Sequence, residues 1–467
     1  VTVSTNSGVT YNLPATSFSG SGYGAAVTPG ISNLIVWDAG TDWDGRFSSL
    51  MRVKVTADDG ESAIPGEPAL IAPTPSNGVV SLIGDGVAFL YSGTNPIQTG
   101  VAEGTIDNIR VAVLRGRVLD RTNAVLSGVT VTVNNHPEYG QTITRTNGMY
   151  DLAVNGGGPV TLNFTKTDYL PIQRTLDVPW QDYVPVEDVV MLQSDASVSF
   201  VILPTNIWQA ATGTLINDQD GTRRAVVLYP PETRAWIFTS GGATQETSTL
   251  TTRFTEYTVG ANGASAMPGD LPSMVAYTYC LALSAAEAQF KVAGRDVLFS
   301  SNVLFYIDNF PGMPAGTPVP MGYYDESHAA WVPTQDGVVI QLLGTNAGGL
   351  ARISVSTNLT EADAGTLATL GITDGERQQL AATYTPCTNS LWRTPILHFS
   401  GRDCNYGTVS GGTGPNLPIP PDVSVTDPTG KGGFGRLDLE NQVFQESITL
   451  VGSPLKLHYS SARVPGF

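Results

Sequence analysis

The chain has 467 residues, which is enough for about three domains of ordinary size. Charged residues make up only 14% of it, whereas Gly (51 residues) and Pro (31 residues) are frequent, so a long helical bundle is excluded and a mostly β protein is predicted. The net charge is −17 and no segment concentrates basic residues, which argues against nucleic acid as a partner. No apolar stretch approaches the roughly 18 residues of a membrane span.

Residues 1–110 are predicted to form an N-terminal β-sandwich-like module, because the runs at 32–38 and 49–56 alternate with a period of two. Four aspartates in and after the loop between these runs are candidate calcium ligands, because hard cations prefer several carboxylate oxygens. They are Asp42, Asp44, Asp58 and Asp59. No EF-hand-like spacing links them, so solvated carboxylates in turns are the favoured interpretation and calcium the weaker one.

Residues 111–195 are predicted to form a second, small β-sandwich. The runs at 111–120, 128–133, 159–164 and 173–178 have the composition and alternation of strands. Asn147-Gly148 separates two further runs, and this dipeptide accepts the positive φ angles of a type I′ turn. A hairpin with both residues at φ > 0 is therefore predicted there.

Residues 196–410 are predicted to form a larger β region with short helices near 360–383. An Ala/Leu run at 362–370 predicts the first helix, and Thr373 followed by Glu376 predicts a capping box for the second. Residues 411–467 read as a linker followed by two strands, 443–451 and 455–459. Unpaired strand edges tend to find partners, so the tail 441–467 is expected to add to a neighbouring sheet and to promote self-association.

The three cysteines, Cys280, Cys387 and Cys404, form no CxxC pair, which excludes a zinc ribbon or a thioredoxin-type site. Cys387 and Cys404 lie 17 residues apart, and a disulfide between them would contribute about 3 kcal/mol by chain-entropy arguments. Bridged and reduced forms are equally compatible with the spacing. A bridge would indicate an oxidising compartment.

Catalytic patterns are scarce. The four histidines are too far apart in sequence for a metal-binding helix motif, and no Gly-x-Ser-x-Gly elbow is present. Asp308 and Asp325 flank an aromatic-rich stretch and are the best candidates for a hydrolase or a sugar-binding surface, although packing and turn roles are favoured for both. The chain is therefore predicted not to be an enzyme.

Several segments resemble a known family. "GRVLDRTNAVLSGVTVTV" (116–133), "TRTNGMYDLAVNGG" (144–157) and "TLDVPW" (175–180) resemble the carboxypeptidase-regulatory-like fold, a transthyretin-type β-sandwich. The amino-acid sequence also resembles the region just upstream of the YD shell in Rhs/YD-repeat proteins and in their animal relatives, the teneurins. The segments that carry this resemblance are 110–121, 134–157 and 177–191. The segments 255–272, 304–333 and 391–407 resemble the fibronectin-plug-like region of those proteins, and 435–467 resembles the first shell strands.

The resemblance implies an all-β chain of tandem sandwiches (immunoglobulin-like, transthyretin-like and plug-like) with one or two short helices. It implies a non-enzymatic plug region of an exported, bacterial cell-surface or extracellular protein, whose partner is the YD-repeat shell of the same polypeptide around a C-terminal effector. No cofactor is implied. The alternative function is an extracellular adhesin that binds carbohydrate or a surface, or a self-assembling surface protein.

Overall fold

The structure, a computed structural model, describes residues 1–8, 10–24, 33–55, 64–74, 82–260, 262–271 and 278–404, with the backbone of 445–449 and 456–460. In the part of the chain that the structure describes, strands account for 41% of the residues and helices for 11%, which confirms the all-β class. The chain divides into two compact units, Val1–Ala63 and Ile64–Phe467. In the described part of the chain, no helix is long and apolar enough to cross a membrane.

The first unit contains two two-stranded antiparallel sheets, β1 with β4 and β2 with β3. Its elements are β1 (Thr2–Ser4), β2 (Phe18–Ser19), β3 (Val36–Trp37), α1 (Ala39–Trp43) and β4 (Arg52–Lys54). The strands described there have two or three residues each, and the β-sandwich-like module expected for residues 1–110 stays a prediction. Its second part, residues 64–110, belongs to the second unit.

Residues 64–110 carry α2 (Pro68–Ile71), α3 (Ile83–Val87) and a 3-10 turn at Ala88–Leu90. Val87 and Leu90 are buried in a small apolar cluster with Val111 and Val113. This segment therefore covers the outer face of the sandwich that follows it.

The first sandwich comprises two packed sheets. Its strands are β5 (Val111–Asp120), β6 (Thr130–Val133), β7 (Gln141–Ile143), β8 (Met149–Asn155), β9 (Gly158–Thr165), β10 (Ile172–Val178), β11 (Asp182–Pro185) and β12 (Val189–Met191). One sheet has the order β10-β9-β6-β7, and in the other β5 pairs with β8 on one side and with β11 and β12 on the other. A second 3-10 turn covers Pro137–Tyr139. Inward side chains such as Leu114, Val131, Leu152 and Phe164 form the core.

The turn at Asn147-Gly148 differs from the prediction. Gly148 has φ 75°, but Asn147 does not have a positive φ. Gly148 N–H donates to Arg145 O at 2.8 Å and Arg145 N–H donates to Met149 O at 2.9 Å, so a three-residue loop closes with the glycine alone in the left-handed region. The flanking strands β7 and β8 belong to different sheets, because the turn carries the chain across the sandwich.

The second sandwich pairs a six-stranded sheet, β13-β20-β21-β29-β24-β25, with a nine-stranded sheet built on β14-β17-β22-β28-β26-β23. Its strands in order are β13 (Ser199–Ile202), β14 (Gln209–Thr212), β15 (Ile216–Asp218), β16 (Gly221–Arg223), β17 (Ala225–Tyr229), β18 (Ala235–Phe238), β19 (Thr244–Thr247), β20 (Thr249–Glu256), β21 (Cys280–Ala285), β22 (Val297–Asp308), β23 (Pro318–Val319), β24 (Gly322–Asp325), β25 (Ala330–Pro333), β26 (Gly337–Thr345), β27 (Ala351–Ser354), β28 (Ser390–Phe399) and β29 (Gly401–Asp403). Its helices are α4 (Gly263–Ala266), α5 (Ala364–Thr369) and α6 (Asp374–Thr383). β15 and β16 form a separate hairpin.

The nine-stranded sheet is buried on both faces, which is why β17 reads as a continuous apolar run. Val227 faces the six-stranded sheet in the main core, whereas Val226 and Leu228 face α5 and α6. The second helix begins as predicted, since Thr373 Oγ1 accepts the N–H of Glu376 at 3.2 Å. The first begins later than the Ala/Leu run suggests, because Asp363 caps it.

The tail strands β30 (Gln445–Thr449) and β31 (Lys456–Ser460) pair antiparallel with each other. Their sheet has two strands in the described part of the chain, and the expectation that the tail adds to the sheet of another copy stays a prediction. Residues 450–455, between these two strands, lie outside the described residues.

Candidate functional site

The two sandwiches of the second unit meet at an apolar interface. Leu119, Leu170, Val190 and Leu192 of the first sandwich are buried in one cluster with residues of the second, namely Tyr257, Ala266, Met267, Cys280 and Ala282. Strand β21 is almost wholly buried, because one of its faces lines the main core and the other faces this interface. The two sandwiches therefore share a continuous apolar layer.

A buried arginine crosses this layer. Arg174, on β10, is 8% exposed, and its Nη1 donates to Met267 O at 3.0 Å while its Nη2 donates to Ser265 O at 2.6 Å. Its Nε lies 3.6 Å from a carboxylate oxygen of Asp270. Burial lowers the pKa of Arg174, and Asp270 opposes that effect. The planar guanidinium thereby forms hydrogen bonds with backbone carbonyls of the 265–270 segment.

A second polar contact involves the turn after β24. Tyr324 Oη donates to Gln173 Oε1 at 2.8 Å, and Gln173 Nε2 donates to Glu326 O at 2.9 Å. Asn135 Nδ2 donates to Ser327 O at 3.1 Å. Burial raises the pKa of Tyr324, so its hydroxyl remains a donor at neutral pH. These contacts fix the first sandwich against the β24–β25 hairpin.

A cavity of about 350 Å³ lies at the edge of the same interface. Arg121 closes one side of it by donating from Nη2 to Glu256 O at 2.5 Å. The Glu256 side chain accepts from Arg223, which also pairs with Asp218. Burial raises the pKa of Glu256, and the pair with Arg223 counteracts it. The carboxylates that line the cavity, Asp120, Asp195 and Glu256, each accept hydrogen bonds from the protein.

A further buried ion pair fixes α6 to the nine-stranded sheet. Arg393 Nε donates to Glu376 Oε1 at 2.6 Å, and its Nη2 donates to Oε2 at 2.9 Å. The Tyr306 hydroxyl donates to the same carboxylate. Burial, followed by the nearby Glu376 carboxylate, raises the pKa of Tyr306 well above its usual value. Glu376, predicted as a capping-box residue, instead points into the protein.

The calcium candidates are only partly described. Asp42 accepts the N–H groups of Thr16 and Ser17 at 2.9 Å and the Trp37 Nε1–H at 2.8 Å. The hydrogen bond from the Ser17 backbone is the main reason that its pKa falls to about 2. Its oxygens thus act as hydrogen-bond acceptors within the fold.

Asp44 lies beyond α1, and Asp58 and Asp59 lie outside the described residues. Among the residues that the structure describes, no group of three or more His, Cys, Asp or Glu side chains could hold a metal ion.

The possible disulfide is contradicted. Cys387 and Cys404 are both free and buried. Cys387 lies in the cluster under α6, and Cys404 lies in the main core, where its Sγ is 3.2 Å from Met321 Sδ. The nine-stranded sheet has one of these clusters on each of its faces, which keeps the thiols apart. The cysteines therefore give no argument for an oxidising compartment.

Asp308 and Asp325 belong to different sheets and have separate environments. Burial raises the pKa of Asp308, and the nearby Arg224 opposes that shift. Asp325 accepts from Ser327 Oγ at 2.6 Å and contacts His328 Nδ1 at 2.8 Å. Ser327 Oγ contacts the same ring nitrogen, whereas a Ser-His-Asp triad uses both nitrogens. The three side chains form a turn motif.

Sequence reasoning missed Arg174, Glu376 and Arg393 as structural residues. One signal was available for the arginines, since each interrupts an otherwise strand-like run of β-branched and apolar residues. The neighbouring residues in the sequence do not indicate which groups these arginines contact. For Arg174, the acceptors on Ser265 and Met267 lie 91 and 93 residues away in the chain.

Comparison with known proteins identifies the first sandwich. Residues 106–191 match the family described as "Teneurin TTR-like domain". Teneurin-3 of Mus musculus is 32% identical over 125 residues, covering 27% of this chain and 5% of the relative. Teneurin-m of Drosophila melanogaster is 43% identical over 91 residues, covering 20% of this chain and 3% of the relative.

The matches therefore span a small part of the length of these curated relatives. Among solved structures, a 3-chlorocatechol 1,2-dioxygenase from Rhodococcus opacus 1CP is 11% identical, covers 21% of this chain and 65% of that chain, and has a TM-score of 0.17. Likeness of that size carries no inference about function. Over its first sandwich, the chain is teneurin-like.

Proposed function

We propose that the chain is a non-enzymatic structural region of an extracellular, teneurin-like protein, in which the two sandwiches act as one rigid body. The observation that carries the proposal is the shared interface, where an apolar layer is combined with directional bonds from Arg174 and Tyr324. Apolar contact alone does not fix an orientation, whereas hydrogen bonds from a buried guanidinium and a buried phenol do. A rigid junction suits a protein that transmits force or holds a surface in place.

The proposal is tested by asking whether the two sandwiches unfold together. Arg174→Met keeps the apolar volume of the side chain but removes its donors, leaving the carbonyls of Met267 and Ser265 without them. Each lost bond to a charged donor is worth about 1.5–3 kcal/mol. Calorimetry should give one coupled transition for the wild-type second unit and an earlier, separate transition of the first sandwich in the variant.

Arg117→Met is the matched control. Arg117 lies on β5 and pairs with Asp188 at the surface, with both side chains more than a third exposed, so its loss should cost less than about 1 kcal/mol. Two independent transitions in the wild-type protein, or an Arg174→Met variant that melts like the control, would contradict rigid coupling.

The finer proposal is that the second sandwich is the plug that closes a YD-repeat shell of the same polypeptide, in an exported Rhs/YD-repeat protein. Support comes from the resemblance of segments 255–272, 304–333 and 391–407 to the plug-like region of that family. The coding sequence that follows Phe467 tests it directly. YD repeats there agree with the plug role, and a stop codon contradicts it.

Self-association through residues 441–467 remains part of this proposal. Strands β30 and β31 pair with each other and form a two-stranded sheet, which leaves two outer edges for another copy. Deletion of 441–467 should lower oligomerisation measured by light scattering and leave the melting of the two sandwiches unchanged. Equal oligomerisation of the truncated and complete chains would refute this role of the tail.

A further inference from the structure

A cluster of charges lies beside the Arg145–Met149 turn of the first sandwich. Arg145 is 3% exposed, and its Nη2 lies 2.8 Å from Oδ2 of Asp151, which is fully buried. Arg115, from the neighbouring strand β5, places its Nε 2.5 Å from the other oxygen of the same carboxylate. Two guanidinium groups thus share one buried carboxylate, and this set carries a net positive charge.

Glu67 supplies the missing negative charge. Its Oε2 lies 3.2 Å from Arg145 Nε, and its Oε1 accepts from Asn147 Nδ2 at 2.8 Å. Asn147 Oδ1 accepts the N–H of Met149 at 3.0 Å, which orients the amide so that its NH₂ group faces Glu67. Arg145 Nε and Nη1 are both buried without a hydrogen-bond partner among the described residues, so Glu67 faces Arg145 as an ion pair only and the guanidinium retains capacity for another acceptor.

Glu67 belongs to a segment that we call the strap, residues 64–74. The strap contains the four-residue helix α2, and its apolar side chains Leu70 and Ile71 are 83% and 43% exposed. Among the described residues, Arg145 and Asn147 make the ion pair and the hydrogen bond that join the strap to the first sandwich. The Glu67 side chain is 40% exposed, so water reaches this contact.

We propose that Arg145 and Asn147 form a carboxylate-binding site on the first sandwich, which Glu67 fills within the chain, and that the strap is a latch released when Glu67 leaves. Release of Glu67 costs little free energy, because Arg145 keeps its ion pair with Asp151 after Glu67 departs. The site that is uncovered has a positive charge, a buried guanidinium N–H and an oriented amide donor. A carboxylate side chain of a peptide is the ligand class that this arrangement fits. This function goes beyond the structural role proposed above.

The test measures opening of the strap by thermolysin, which cleaves before Leu70 and Ile71, in the complete chain under native conditions with mass spectrometry to locate the cuts. When closing is faster than cleavage, the cleavage rate follows the population of the open form. Glu67→Gln removes the charge that faces Arg145 and should speed cleavage about tenfold, which corresponds to about 1.4 kcal/mol. Glu103→Gln, at another exposed glutamate, is the control and should leave the rate unchanged.

Exchanging the side-chain types of Glu67 and Asn147 distinguishes a specific contact between them from a general destabilisation of the strap. Asn147→Asp keeps the acceptor for Met149 but replaces the amide donor with a second carboxylate, so it should also release the strap. In the double variant Glu67→Gln/Asn147→Asp, the amide and the carboxylate have changed places, and the cleavage rate should return to within about twofold of wild type. An unchanged rate in Glu67→Gln, or additive acceleration in the double variant, would overturn the proposal.

Discussion

Removal of the Glu376 carboxylate should strongly destabilise the second sandwich. Arg393 and Glu376 have side chains that are 2% and 1% exposed, and they are joined by two hydrogen bonds of 2.6 and 2.9 Å. Glu376→Ala leaves the Arg393 guanidinium buried without a counter-charge and takes the acceptor from Tyr306. Breaking a buried pair in this way costs about 3–5 kcal/mol. We therefore expect a loss of that size in the free energy of unfolding.

The measurement is urea unfolding followed by tryptophan fluorescence, with the slope of the transition compared between variants. With a slope of about 3 kcal/mol per molar urea, the midpoint should fall by about 1 M or more. Glu361→Ala is the matched control, because Glu361 pairs with Arg352 at the surface and both side chains are about 40% exposed. That change should cost less than about 1 kcal/mol.

The double variant Glu376→Leu/Arg393→Met distinguishes an unpaired charge from lost packing. Replacing both charges with apolar side chains of similar volume should recover most of the stability, because no buried charge then lacks a partner. A Glu376→Ala variant within about 1 kcal/mol of wild type would refute the reasoning. So would a double variant that is less stable than the single one.

Three further outcomes are expected. Asp296 is buried, and desolvation raises its pKa to about 7 while Lys291 opposes the shift. Between about pH 4 and 7 the folded state therefore keeps a proton that the unfolded state loses, so the free energy of unfolding should fall as the pH rises through this range. Urea titrations at several pH values should show this slope in the wild-type protein and not in Asp296→Asn. Gly148→Ala should cost about 1–3 kcal/mol in thermal melts, because φ is 75° and a Cβ would lie 2.7 Å from Val118 O. Without reductant, the denatured chain should titrate three thiols with Ellman's reagent, and the native chain close to none, because all three cysteines are free and buried.

The strands of the first sandwich were predictable because their side chains alternate and their ends carry turn residues. Val111–Asp120 is a strand with the bounds that the sequence predicts. The start of α6 at Thr373 was equally predictable, since a capping threonine acts on its own backbone neighbours. In both cases the determining interactions lie within a few residues of each other.

The errors occur where distant residues decide the outcome. Asn147-Gly148 has the composition of a two-residue hairpin, but its flanking strands pair with β6 and β5 in different sheets. The cysteine spacing permitted a bridge, but the nine-stranded sheet separates the two clusters that hold Cys387 and Cys404. In both cases the deciding contacts join segments that are distant in sequence, and a pattern within a few residues does not indicate them.

Three buried arginines lie where layers of the second unit meet, and their placement links the energetics to the proposed role. Arg174 crosses between the sandwiches, and Arg393 fixes α6 to the nine-stranded sheet. Arg223 joins the β15–β16 hairpin to Glu256 at the end of β20. Apolar layers contribute most of the burial but allow sliding, because the hydrophobic effect has no direction. A guanidinium that donates to particular acceptors favours one orientation, so these three residues restrict sliding where the layers of the unit meet.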